Sequence, residues 1–161
     1  WLADRYLNAH TAVLHGCIWL ILEYLSLALC HGSQAMYYSL SILIWGNGLF
    51  KPNISTVLGS CYKQDDSRRQ RGFTIYYVGI NIGAIIGTIG CGWLALHVNW
   101  QAVYLTVAAV MLLGVSTYVA KSKAILTEII IKEPLQVKIR AHLGVLVVGL
   151  ILIWPLAILL S

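Results

Sequence analysis

Five stretches of this chain, residues 11–30, 36–61, 73–96, 101–120 and 143–160, are long, strongly apolar and almost free of charge. A hydrocarbon core about 30 Å thick needs about 20 such residues in helical form, and each stretch is near or above that length. Peptide groups find no water inside a bilayer, so only helices or closed barrels span it. The runs lack the period-two alternation of barrel strands. The predicted fold is all-α, a polytopic transmembrane helical bundle. Composition agrees: 59% of residues are hydrophobic and 11% charged, where a soluble domain carries about 25% charge.

The net charge of +5 does not point to nucleic acid, because of how the charge is distributed. Apart from Lys51, the basic residues fall in three stretches: Arg5; Lys63, Arg68, Arg69 and Arg71; then Lys121, Lys123, Lys132, Lys138 and Arg140. The intervening turns, residues 31–35 and 97–100, carry no Lys or Arg. Three basic stretches alternating with two basic-free turns follow the positive-inside rule for five successive spans. The basic side is predicted to be cytoplasmic, and the chain to be a multi-pass protein of the cell (inner) membrane. Residues 121–142 mix charge with Ile129, Ile130 and Ile131, and read as an interfacial cytoplasmic connector.

Cys17, Cys30, Cys61 and Cys91 have no metal-ligand spacing and are expected to be buried free thiols. The five histidines are dispersed, so no metal or other cofactor is expected. Nor does any nucleophile–base pair stand at usable spacing, which argues against an enzyme. The sequence begins at Trp1 without a start methionine or signal segment, which reads as a fragment.

Lys51 is the most telling charge. It lies ten residues before the end of its run, about 15 Å deep, too far for easy snorkelling. An ammonium at that depth costs at least ~2.5 kcal/mol. Asn47, Lys51 and Ser55 recur every four residues and share a face, and Pro52 frees the Gly48 carbonyl and permits a kink. In the third run, Tyr77, Asn81 and Thr88 fall within about 40° of one another at 100° per residue. Gly79, Gly83 and Gly87 form a stripe roughly opposite, which suits close helix approach. Lys51, Asn47, Tyr77 and Asn81 are therefore candidate liners of one aqueous cavity; an ammonium suits a solute carboxylate, and its charge can couple to protonation. Glu23, the second membrane-depth charge, lies twelve residues into the first run, so its depth is expected to differ from that of Lys51 by roughly 3 Å. An ion pair with Lys51, a proton site and a neutral packed carboxyl all fit that placement.

These residues carry a resemblance. Trp1-Leu2-Ala3-Asp4-Arg5-Tyr6-Leu7 is similar to the cytoplasmic turn between the second and third helices of the proton-dependent oligopeptide transporters of the major facilitator superfamily. Gly46-Asn47-Gly48-Leu49-Phe50-Lys51-Pro52-Asn53 resembles that family's fourth helix, and Gly72-Phe73-Thr74-Ile75-Tyr76-Tyr77-Val78-Gly79-Ile80-Asn81-Ile82-Gly83-Ala84 its signature fifth. The similarity runs over most of residues 1–120, a partial N-terminal bundle; residues 143–160 resemble the start of the transmembrane hairpin between the family's two bundles. The resemblance implies alternating access and proton-coupled import of di- and tripeptides. By position, Lys51 would engage the peptide carboxylate and take part in proton coupling, with Glu23 a second proton-coupling candidate. Tyr77, Asn81 and Asn47 would line the peptide site, and Asp4 and Arg5 would form a gating turn. The implied partners are di- and tripeptides, protons, the lipid bilayer and the remaining helices of a complete transporter. Asn8 stands where the family usually has glycine, and Glu23 where a small residue is expected. The family's Glu-x-x-Glu-Arg motif, the helices that carry it and the second bundle are absent from these residues. A transporter of another small solute such as nitrate, a truncated gene product, and a structural membrane subunit are the competing readings.

Overall fold

The computed structural model describes residues 8–29, 32–63, 65–125 and 135–160. The described residues form five helices: α1 (Ala9–Leu29), α2 (Ser33–Ser60), α3 (Arg68–His97), α4 (Trp100–Ile125) and α5 (Leu135–Leu160). Each predicted run falls on one helix. Ala9–Leu29, Arg68–His97 and Trp100–Ser122 are long and apolar enough to cross a membrane. In α5 the apolar residues of 143–160 lie within the helix. α2 has the length, 28 residues, but its serines, asparagines and Lys51 dilute its apolar character.

All five helices extend beyond the expected bounds, α3 beginning at Arg68 rather than residue 73. α4 continues to Ile125, and α5 begins at Leu135, inside the segment read as a connector. Intrahelical hydrogen bonding does not stop where the apolar residues stop, so charged flanks prolong a spanning helix. Residues 126–134 lie outside the described residues.

The central unit is the α1–α2 hairpin. Gly32, at φ 112°, supplies the left-handed backbone of its turn, a conformation in which a Cβ would be strained. The two helices approach closely at Gly16 and Gly46. A Cβ on Gly16 would lie 2.7 Å from the Phe50 amide nitrogen and 3.0 Å from the Gly46 carbonyl oxygen. Further along, the hydroxyls of Ser26 and Ser39 are 2.9 Å apart and bridge the pair. α4 packs on one side of α1, where Val115 and Tyr118 meet Val13 and Cys17. α5 packs chiefly on α2, and its Val145 joins Ala12, Trp19 and Leu49 in one cluster.

α3 is different, for none of its residues is buried. It meets α2 beside the turn, where the Tyr62 ring lies over the Gly72 backbone and Phe73 lies near Gly59. It leads into α4 through a short turn capped by Asn99, whose Oδ1 accepts the Ala102 N–H at 2.7 Å. The expectation of buried thiols holds for Cys17 only; Cys91 is half-buried, and Cys61 is exposed because it sits one residue beyond the end of α2. Cys30 lies outside the described residues.

Candidate functional site

α2 stays helical through Pro52. Proline has no N–H, so the Gly48 carbonyl lacks its usual donor. That side of the helix is open, with nothing within 4 Å of where a Gly48 Cβ would stand. Lys51 follows one turn later, exposed, and no ion pair to it forms among the described residues. Its polar neighbours are turned onto their own backbone. Asn47 Nδ2 donates to the Leu43 carbonyl at 3.0 Å, and Ser55 Oγ to the Pro52 carbonyl at 2.9 Å. Such local bonds satisfy a helix in an apolar medium while leaving the Asn47 carbonyl oxygen and second N–H for a solute.

On α3, Tyr77 is 59% exposed, and Asn81 Nδ2 donates to the Tyr77 carbonyl at 2.9 Å. The Tyr76 and Tyr77 rings meet edge-on at 5.6 Å. The packing at the turn fixes the levels of these residues. Gly59 of α2 faces Arg69 and Phe73 of α3. Eight residues further from the turn, about 12 Å along each helix, Lys51 stands level with the span from Tyr77 to Asn81. The cation, the phenol and the amide share one depth, and each is exposed.

Glu23 does not belong to this group. Gly16 packs against Phe50, Leu20 against Gly46 and Ser26 against Ser39, so Glu23 lies opposite residue 43 and Lys51 opposite residue 15. The two charges are thus about 12 Å apart along the hairpin, and no Glu23–Lys51 ion pair forms among the described residues. The expected difference of roughly 3 Å assumed that the two apolar runs begin level. The Gly16–Gly46 contact instead slides α2 about six residues, some 9 Å, relative to α1.

The glycine stripe of α3 is open on this chain. Nothing stands within 4 Å of a Cβ at Gly79, Gly83 or Gly87, so among the described residues no helix covers it. Close approach occurs instead at Gly16 and Gly46, which an isolated glycine in each helix signalled only faintly. The contact of His10 Nδ1 with the Tyr118 hydroxyl at 2.6 Å is likewise unannounced by sequence, because the partners are 108 residues apart. Asp4 and Arg5 lie outside the described residues.

The turn before α3 is ordered by charge. Asp66 accepts the Arg68 N–H at 2.9 Å and also the guanidinium, with Arg68 Nη2 at 2.9 Å from Oδ2. These hydrogen bonds hold the Asp66 carboxyl below its usual range and raise the guanidinium in return.

The described residues thus form a bundle of apolar helices with a cation and polar groups exposed at similar depth. Residues 11–153 match the model of the POT family (PTR2), and the chain belongs to that family. It is 37% identical over 123 residues to the uncharacterized transporter YclF of Bacillus subtilis, covering 76% of this chain and 25% of that protein. It is 36% identical over 118 residues to a di-/tripeptide transporter of Lactococcus lactis, covering 73% and 24%. Among solved structures, the peptide transporter POT in complex with sulfate superposes with a TM-score of 0.76 at 31% identity, over 99% of this chain and 33% of that one. The same transporter (E310Q mutant) in complex with alafosfalin also gives 0.76 at 31% identity, over 97% and 33%. The chain spans about a quarter of the length of the curated relatives it matches.

Proposed function

We propose that this chain is the third to sixth helices of the N-terminal bundle, with the start of the inter-bundle hairpin, of a proton-coupled symporter that imports di- and tripeptides by alternating access across the cell (inner) membrane, with its basic loops cytoplasmic. One observation carries the reading: Lys51 stands exposed at about the level of Tyr77 and Asn81. Names among the relatives support the substrate class, since several are di-/tripeptide transporters. In this reading the Lys51 ammonium receives the peptide carboxylate. Tyr77, Asn81 and Asn47 offer hydrogen bonds to the peptide's amide and amino groups. A lysine that alternates between proton and carboxylate partners links the two fluxes, because its charge is costly unless compensated. Asp4 and Arg5 are assigned to the cytoplasmic gating turn by position alone. The relevant partners are the peptide, protons, the bilayer and the other helices of the transporter, without a cofactor or nucleic acid.

The test is uptake of a labelled dipeptide by the complete transporter in vesicles, with a proton gradient imposed. Lys51→Ala should abolish concentrative uptake while the protein stays inserted and monodisperse. Normal concentrative uptake by that variant would remove Lys51 from the coupling role. Gradient-driven uptake of nitrate in place of peptide would overturn the substrate class.

A further inference from the structure

Buried side-chain nitrogens and oxygens in the described part of this protein are paired, with three exceptions: Trp19 Nε1, Glu23 Oε2 and Trp45 Nε1. Trp19 and Trp45 lie where α1, α2 and α5 meet, and Glu23 follows Trp19 one turn along α1. Trp19 is 7% exposed and Glu23 only 2%, among the most enclosed side chains of the chain. An unpaired buried polar atom costs about 1–3 kcal/mol, so three of them in one place call for a shared explanation.

Ala12, Trp19, Leu49 and Val145 form one buried cluster at the junction, with Trp45 packed against it. Gly149 of α5 stands beside the two indoles. A Cβ on Gly149 would lie 2.7 Å from Trp45 Nε1 and 3.3 Å from Trp19 Cζ2, so the missing side chain admits the edges of both indoles. One turn further, helix rise brings Glu23 to the level of Ile42 and Ile153, which also pack on this cluster. Ala12, Trp19 and Glu23 fall within about 40° on α1, so the carboxyl faces the same junction as the indole. The facing α5 positions, Val145, Gly149 and Ile153, carry no side-chain donor or acceptor.

We propose that Glu23, Trp19 and Trp45 enclose a buried water site that ties α1 to α2 beside the glycine face of α5. Valence and spacing both suit one water. Its two lone pairs accept the two indole N–H groups, and one hydrogen donates to Glu23 Oε2. Trp19 and Glu23 are about 6 Å apart along α1. A donor–water–acceptor bridge spans about 5–6 Å. Buried waters typically make about three hydrogen bonds, the number available here. The site is separate from the candidate solute path, since Glu23 lies two turns from the level of Lys51. It also gives Glu23 a positioning role independent of the proposed transport reaction.

Hydroxyl-radical footprinting of the complete transporter in lipid nanodiscs, with rapid mixing into ¹⁸O-water, tests this. Trp19 and Trp45 should be oxidised despite their burial, and should take up ¹⁸O more slowly than Tyr62 at the turn. Glu23→Gln retains an acceptor and should keep the labelling. Glu23→Leu should reduce it at both indoles by at least about fivefold. Absence of labelling at both indoles in the unmodified protein, or labelling unchanged in Glu23→Leu, would overturn the proposal. If Glu23→Leu does not accumulate, Gly149→Ala decides, because its methyl group crowds Trp45 Nε1: lost Trp45 labelling supports the water site, and retained labelling overturns it.

Discussion

His10 at the start of α1 and Tyr118 near the end of α4 are joined by a 2.6 Å hydrogen bond, with their rings 5.1 Å apart. This bond closes the packed cluster of Val13, Cys17 and Val57 at one end of the bundle. Tyr118→Phe keeps the ring and deletes the hydroxyl, and should lower stability by about 1 kcal/mol. Thermal unfolding of the complete protein in detergent would measure the loss; an unchanged midpoint would show that the bond contributes nothing net.

Glycines of the chain should differ sharply in their tolerance. Gly16→Ala places a methyl group 2.7 Å from backbone that cannot rotate away, so α1 and α2 must separate. A cost of about 1–3 kcal/mol is expected, as for other overpacked sites. Gly83→Ala meets nothing within 4 Å in this chain and should be neutral, or stabilising by up to about 1 kcal/mol through helix propensity. The same unfolding assay distinguishes them, and an equal loss from both would mean that a partner helix covers the α3 stripe.

At the candidate site, Tyr77→Phe and Asn81→Ala each remove a group that is not used in packing. Both should weaken dipeptide binding roughly 3- to 10-fold, the worth of one net hydrogen bond, without moving the unfolding midpoint. Calorimetric titration alongside thermal unfolding checks the two halves of that statement. Early melting with normal affinity would place the groups in packing instead.

Cys61 is exposed one residue beyond α2, on the side occupied by Lys63, Arg68, Arg69 and Arg71. A membrane-impermeant maleimide should modify it in inverted vesicles and leave it intact in whole cells. Efficient labelling from outside cells would reverse the assigned orientation.

The Asp66–Arg68 cap should depend on pH in one direction. Folding lowers the Asp66 pKa, so the cap's contribution is complete above the ordinary carboxylate range, near pH 4. It is lost as the pH falls further, through the depressed folded value. Hydrogen-exchange protection of the Arg68 amide should therefore hold from neutral pH down to about 4 and decline below it. Protection independent of pH over that range would show that Asp66 is not its source.

Periodicity and charge placed every helix, because twenty apolar residues in a row have few alternatives. They also singled out Lys51, Tyr77 and Asn81 as candidates, because their polarity stands out among apolar neighbours. The level of Glu23 was not legible, because the offset between α1 and α2 depends on which glycines meet, and only the packed pair reveals that. The end of α4 was hidden for another reason: Lys121, Ser122, Lys123 and Ala124 are compatible with both helix and loop. The His10–Tyr118 bond and the Trp19–Trp45–Gly149 contact are long-range coincidences with no local signature.

That α3 buries nothing has a mechanical consequence. Its sides are bare and its principal moorings within this chain are the turns at its two ends, so tilting it against the α1–α2 hairpin breaks few interactions. Within the described residues α1, α2 and α5 pack together while α3 stands beside them with both sides open, so whatever covers α3 in the complete transporter would also set the gap between Lys51 and Tyr77.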